Sequence, residues 1–276
     1  MKHTDSHYVH GTLPAEQARL LRLNELLNPA SLEAMALEGG EKILDVGCGP
    51  GLLSRMMARK SGSSGCVVAI ERERQQLDLA LRLAREAGDE KLVDFRIGAA
   101  ACLPLQETEW GTFDLAHARF LLEHVLNPAQ VVSGMVRAIR PCGRLILEDD
   151  DHDLLRLWPE PRGFQDLWRA YYLTYEKHGK DPFVGRRLTH LIHKAGGRPR
   201  RILRLPFASC AGSPDFPIMA ENFIAIVEGA REEILASRLV SGEEMDESLE
   251  AFREWQARPD AALWYSTAWA EGVRSA

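Results

Sequence analysis

Lys42-Ile43-Leu44-Asp45-Val46-Gly47-Cys48-Gly49-Pro50-Gly51-Leu52-Leu53-Ser54 decides the fold. Ile43 to Val46 is a short apolar run of the kind that forms a buried strand. It ends in three glycines spaced by two, Gly47, Gly49 and Gly51. A helical pattern follows at once in Leu52, Leu53, Met56 and Met57. Strand, glycine turn and helix in succession open a nucleotide-binding βα unit. The glycines permit close approaches that a Cβ would forbid. Their pattern is G-x-G-x-G, not the G-x-G-x-x-G that suits a dinucleotide, and an acid, Asp45, stands inside the strand end.

Composition bounds the rest. A chain of 276 residues, 45% hydrophobic, suits one α/β domain with additions, or two small domains. Its net charge of -6 argues against general nucleic-acid binding, which needs a basic footprint. Five scattered cysteines form no C-x-x-C pair and no zinc set. They read as reduced thiols of a cytoplasmic protein. No apolar run has the length of a membrane span, so no membrane partner is expected. The polar, histidine-rich start, Met1 to Thr12, is no signal peptide.

Further along, Cys66 to Ile70 reads as a second, doubly covered strand ending at Glu71. Leu92 to Ile97 is a third strand, followed by Gly98-Ala99-Ala100-Ala101-Cys102-Leu103-Pro104. Thr112 to His117 is a fourth, followed by Ala118-Arg119-Phe120-Leu121-Leu122-Glu123-His124-Val125. Arg140-Pro141-Cys142-Gly143 turns into a fifth, Arg144 to Glu148.

The glycine stretch resembles the first motif of class I S-adenosylmethionine-dependent methyltransferases, and the stretch after the fourth strand resembles their small-molecule branch (type 11-like). The resemblance covers about residues 8 to 150. It implies an α/β, doubly wound, Rossmann-like sheet of seven strands, mostly parallel with an antiparallel last strand. A helical N-terminal segment and a helical cap would be added to it. It divides the chain into an N-terminal lid and helices (1–40), a cofactor-binding core (41–150), a helical cap insertion (151–199) and terminal strands with inserted helices (200–276).

The resemblance also implies the cofactor, S-adenosyl-L-methionine, and the residues around it. Asp45, Gly47, Cys48, Gly49 and Gly51 would pass under its amino acid part, which carries an ammonium and a sulfonium and no phosphate. Glu71 would take the ribose, since a carboxylate can accept from both hydroxyls; a surface acid at a helix start is the alternative. Arg72, Gln76 and Arg119 would lie close by. Family members usually carry Asp or Asn where Ala99 stands, so the adenine site would rest on the backbone at Ala99 and Ala100. Cys142 departs mildly from the Pro-Gly-Gly of the family's turn.

The flanks are less regular. A helix is expected from about Pro14 to Leu27, broken by Asn28-Pro29, with Ser31 capping a short second helix that ends at Gly39-Gly40. Tyr8-Val9-His10-Gly11 resembles a segment that folds over the cofactor in some relatives; a free tail is the equal alternative. After strand five, Asp149-Asp150-Asp151-His152-Asp153 has three readings: a substrate-facing polar rim, a solvated loop, or a metal site. Neighbours on an extended chain point opposite ways, so not all five converge; no metal ligands are assigned. A helix from Pro161 to His178 puts Trp168, Tyr171, Tyr172 and Tyr175 on one face, as packed core or as the wall of an apolar pocket. A further helix spans Val184 to Lys194. Arg198, Arg200, Arg201 and Arg204 mark a strand near a sheet edge, guarded by charge. Two helices, Ser213–Glu228 and Glu243–Gln256, interrupt the closing hairpin before a last strand, Ala262 to Ala270.

Methyl transfer needs nucleophile, methyl carbon and sulfur in line, with water shut out; such orientation supplies on the order of 7–11 kcal/mol in favourable cases. A base is needed only where the nucleophile keeps its proton until attack. His152 is the first choice, with His117 and His10 as alternatives; Tyr8 would orient the substrate, and a purely positional mechanism stays open. The acceptor expected is a small, apolar or aromatic molecule, methylated on carbon, nitrogen or oxygen, in secondary metabolism. A macromolecule methyltransferase acting on RNA or protein, a NAD-dependent oxidoreductase and a non-catalytic cofactor binder are the competing classes. The glycine pattern speaks against the oxidoreductase. Oligomeric state, a homodimer included, is open.

Overall fold

The computed structural model describes residues 14–275. Its elements run α1 (Pro14–Met35), β1 (Lys42–Val46), α2 (Leu52–Ser61), β2 (Cys66–Glu71), α3 (Arg74–Glu86), β3 (Val93–Ile97), β4 (Phe113–Arg119), α4 (Pro128–Ala138) and β5 (Ile139–Asp149). Then come β6 (Arg156–Trp158), α5 (Phe164–Lys177), α6 (Leu188–Lys194), β7 (Gly197–Cys210), α7 (Phe216–Gly229), α8 (Arg231–Ser237), α9 (Gly242–Gln256) and β8 (Ala262–Arg274). The sheet order is β3-β2-β1-β4-β5-β8-β6, and β7 also pairs with β8. β1 to β5 are parallel, and β8 is antiparallel to β5, β6 and β7.

Both faces of the sheet are covered, and strand alternation sorts the side chains. Ile43 packs with Met35, Leu53 and Met57 on one face. Its neighbour Leu44 packs with Val131, Met135 and Ile192 on the other. A third apolar cluster joins α5, α7 and α9 to β6 and β8, through Trp168, Tyr171, Phe223, Phe252 and Trp255. The aromatic stripe of α5 is therefore largely core: Trp168, Tyr171 and Tyr175 are buried, and half-buried Tyr172 packs on Phe183.

Several boundaries differ from expectation. Asn28-Pro29 does not break the first helix; α1 runs on to Met35 with Pro29 inside it. Proline cannot donate to the carbonyl four residues back, a local cost. Side chains from outside the helix offset it, because Arg119 grips Asn24, Asn28 and Ser31 across this turn. Ser31 is accordingly no cap; its hydroxyl donates back to the Leu27 carbonyl at 3.2 Å. The sheet gains an eighth, three-residue strand, β6, where a seven-stranded one was expected. A short helix, α8, occupies the expected connector between α7 and α9. Val184–Arg187 is a 3-10 turn leading into α6. β7 is an edge strand, as its charges suggested, but two of its arginines, Arg200 and Arg201, are engaged within the chain. Arg201 pairs with Glu271 at 3.3 Å and lies over the Trp269 ring.

Two features fix the loops beside the strand ends. Arg96 on β3 bonds both oxygens of Glu109 at 2.8 Å and the Pro104 carbonyl at 3.3 Å, holding the loop from Gly98 to Glu109 in place. This pairing lowers the Glu109 carboxyl to about 2. Within β5, Phe113 pairs with Ile139, and the register then shifts so that Leu115 pairs with Arg144. The bulge between them places exposed Cys142 at φ 61, in the left-handed region.

Two outcomes follow. A depressed carboxyl stabilises the fold above its unfolded pKa, and that contribution is lost as pH falls through the folded value. Glu109→Gln should cost about 1–2 kcal/mol near neutrality, and the gap to the parent in urea titrations should close between about pH 4.5 and 2. Cys142→Gly should raise stability by about 0.5–1 kcal/mol in the same assay, since strain at positive φ is relieved with no packing lost.

Candidate active site

The carboxyl ends of β1, β2 and β4 and the loop after β3 surround a cavity of about 340 Å³. The glycine turn forms one side. Gly47 and Cys48 N–H groups both donate to the Ile70 carbonyl, at 2.8 and 3.0 Å, tying the turn to β2. Gly51 opens α2 at φ 70, and a Cβ there would lie 2.6 Å from Phe95 Cε1. That packing explains why Gly51, expected beside the cofactor, stands outside the cavity lining while Gly47, Cys48 and Gly49 are in it.

Two acids sit at adjacent strand tips. Asp45, buried at the end of β1, accepts from Ser54 Oγ at 2.5 Å and bonds His117 Nδ1 at 2.8 Å. Its two oxygens are thus held by the next helix and by β4. His117 Nε2 is buried without a protein partner, and the ring lines the cavity. Glu71 ends β2 and accepts from Gly49 N–H and Glu73 N–H, each at 2.8 Å. Burial pushes its carboxyl up, against these N–H groups, which favour the charged form. Each oxygen keeps a further lone pair. Gln76 lines the same cavity with a buried, unpartnered Oε1, and Arg72, Ala99 and Ala100 complete the expected set. Ala99 offers no side-chain acceptor; its carbonyl takes the Cys102 N–H at 3.0 Å, which closes the turn.

Arg119 lies at the end of β4. Its guanidinium donates to Ser31 Oγ at 2.9 Å, Asn24 Oδ1 at 2.6 Å and Asn28 Oδ1 at 2.5 Å. It lines the cavity and also seats α1 against it.

His152, the first-choice base, is in neither the glycine turn nor this cavity. It lines a second, smaller cavity of about 90 Å³, with Glu123, Asp150, Tyr171, Tyr175 and Tyr265. Leu20, Phe120 and His124 line both spaces, so the two adjoin. His152 Nε2 bonds Glu123 Oε2 at 2.9 Å, and its Nδ1 is buried without a partner among the described residues. Its backbone carbonyl accepts from Trp168 Nε1 at 2.7 Å. His124 is on a 3-10 turn, Leu122–His124. It is packed, stacking on Tyr175 and lying 3.3 Å from Glu123. Burial lowers it to about 3. Glu123 rises, to about 8, mainly because it is buried.

The acidic run leaves the strand at Asp149 and enters a 3-10 turn at His152–Leu154, and its side chains divide among different partners. Asp149 accepts from the N–H groups of Leu121 and Leu122. Asp151 is paired with Arg186 at 2.5 and 2.8 Å, and Asp153 also meets Arg186, at 3.1 Å. Asp150 and His152 face the smaller cavity. Tyr8 and His10 lie outside the described residues. Glu123 was missed as a site residue; the available signal was an acid next to a histidine, Glu123-His124, inside a run whose other members, Phe120, Leu121, Leu122 and Val125, are apolar.

Residues 37–172 match the methyltransferase-domain family. That stretch, a little under half of the chain, is similar to a methyltransferase domain. Over 143 residues it is 32% identical to methyltransferase GfsG of Streptomyces halstedii, covering 52% of this chain and 50% of that one. Over 124 residues it is 33% identical to the ubiquinone biosynthesis O-methyltransferase of Xanthomonas oryzae, covering 44% of this chain and 49% of that one. The chain thus spans about half the length of these curated relatives. In fold, the methyltransferase domain and its additions match the crystal structure of geranyl diphosphate C-methyltransferase from Streptomyces coelicolor, solved with S-adenosyl-L-homocysteine. The TM-score is 0.54 at 17% identity, over 92% of this chain and 77% of that one.

Arg119→Met should leave three oxygen acceptors on α1 without their donor. It should cost about 3 kcal/mol in denaturant titration and expose α1 to limited proteolysis ahead of the methyltransferase core.

Proposed function

We propose that this protein transfers a methyl group from S-adenosylmethionine to a small acceptor with an apolar or aromatic body. The observation that carries the reading is the pair of acids at neighbouring strand tips, Asp45 and Glu71, around a glycine turn. A pyrophosphate would be repelled there; an ammonium, a sulfonium and a ribose would be welcomed. The donor set fits that ligand. Glu71 has lone pairs left for two hydroxyls, and His117 Nε2 and Gln76 Oε1 are buried polar atoms lining the cavity without a protein partner. Asp45, Gly47, Cys48 and Gly49 would hold the amino acid part, with Arg119 seating the helix that covers it. Ala99 and Ala100 would line the adenine through their backbone.

Bound S-adenosylmethionine supplies a methyl carbon activated by positive sulfur. The chain's own residues then have two tasks. α1, Phe120 and the aromatic cap exclude water and hold the acceptor next to the cofactor space, which turns encounter into orientation. For an acceptor that keeps its proton, His152 serves as base from the adjoining cavity, with Glu123 fixing the ring through Nε2. The relatives support the small-molecule class: two curated ones are named as a methyltransferase and a ubiquinone biosynthesis O-methyltransferase.

Isothermal titration should show one site for S-adenosylmethionine and none for NADH. A labelled-methyl screen should mark small apolar acceptors and leave tRNA and lysate protein unlabelled. Glu71→Ala should weaken cofactor binding by about 1–3 kcal/mol, the cost of lost charged hydrogen bonds. Unchanged affinity would remove Glu71 from the site.

A further inference from the structure

The smaller cavity holds buried acceptor atoms that have no hydrogen-bond partner among the described residues. With Nε2–H given to Glu123, His152 Nδ1 carries a bare lone pair, and the residue is 4% exposed. Asp150 Oδ1 is likewise buried with no hydrogen-bond partner among the described residues, the Tyr265 hydroxyl standing by its carboxyl. Neighbouring acids are served: Asp149 by two backbone N–H groups and Asp151 by Arg186. Glu123, Asp150 and His152 place ligand-type atoms within 4.8 Å of one another. Around them stand aromatic rings, Phe120, Tyr171, Tyr175, Phe223 and Tyr265.

A hydroxyl acceptor brings one donor to this arrangement. An ammonium brings two or three, and it also neutralises buried carboxylates and lies well against aromatic faces. Burial and the neighbouring Glu123 push Asp150 up to about 7, and Arg19, which also lines this cavity, is turned to Asn222. We propose that the acceptor is an amine on an apolar or aromatic body, its nitrogen held by Asp150 and by the Glu123–His152 pair. The nitrogen arrives protonated. One N–H bond breaks, its electron pair stays on nitrogen as the nucleophilic lone pair, and the proton goes to His152 Nδ1 or to the Asp150 carboxylate. The shared lining by Leu20, Phe120 and His124 sets that nitrogen beside the cofactor space.

This inference rests on the methyl-donor reading, and the test separates the two. The whole protein, saturated with S-adenosylhomocysteine, is titrated with primary aralkylamines of increasing size and with the alcohol matched to each. At least one amine should bind tenfold or more tighter than its alcohol. Asp150→Asn should remove most of that preference, leave alcohol binding within about twofold, and keep S-adenosylhomocysteine affinity, because Asp150 does not line the larger cavity. Retained S-adenosylhomocysteine binding also certifies that the variant folds. Equal or better binding of the alcohols across the series overturns the proposal and leaves the methyl-donor reading standing. Stoichiometric uptake of Mn²⁺ or Mg²⁺ that Asp150→Asn abolishes, with no amine preference, overturns it in favour of a metal centre. Failure of S-adenosylhomocysteine itself to bind brings down the methyl-donor reading and this inference with it.

Discussion

A carboxylate buried at the tip of β1 organises the molecule's working edge. Asp45 is 3% exposed, a position an acid tolerates only when its oxygens are met. Ser54 meets one oxygen and His117 the other. These two contacts tie the first helix after the glycine turn, and the strand on the far side of β1, to a single point. The turn is tied to β2 as well, through the Ile70 carbonyl and through Glu71. The floor of the larger cavity is therefore set before any ligand enters. Such preorganisation is what an in-line transfer demands, since the protein has little covalent chemistry to contribute and much to gain from geometry.

The second cavity follows a different logic. Where the larger space is built from backbone and short loops, the smaller one is built from elements added to the common core. α5, α7 and β8 bring rings, and the segment after β5 brings Asp150 and His152. On the proposed reading, the core would serve the methyl donor and the additions the acceptor, a division that suits a fold hosting many acceptors.

Much of this was legible in the sequence because it is local. The glycine turn and Glu71 at the end of β2 follow from spacing within a few residues, whereas the Asp149–Asp153 run, read as extended, enters a 3-10 turn at His152–Leu154. What was not legible depends on distant partners. Asn28-Pro29 reads as a break until Arg119, 91 positions from Asn28, is seen gripping both sides of it. Glu123 reads as one acid in an apolar run until the turn at Leu122–His124 sets it against His152, 29 positions away. Gly51 belongs to the motif by spelling, yet its absent side chain makes room for Phe95, a packing matter. Cys142 shows the converse: its departure from the family's glycine was visible, and only the backbone reveals a left-handed conformation there.

The seating of α1 has a wider consequence. Leu20 and Asn24 border the larger cavity, and Leu20, Leu23 and Leu27 border the smaller one. One rigid rod is a party wall between two compartments. Leu20 is common to both walls, so its side chain cannot be changed without altering both spaces at once.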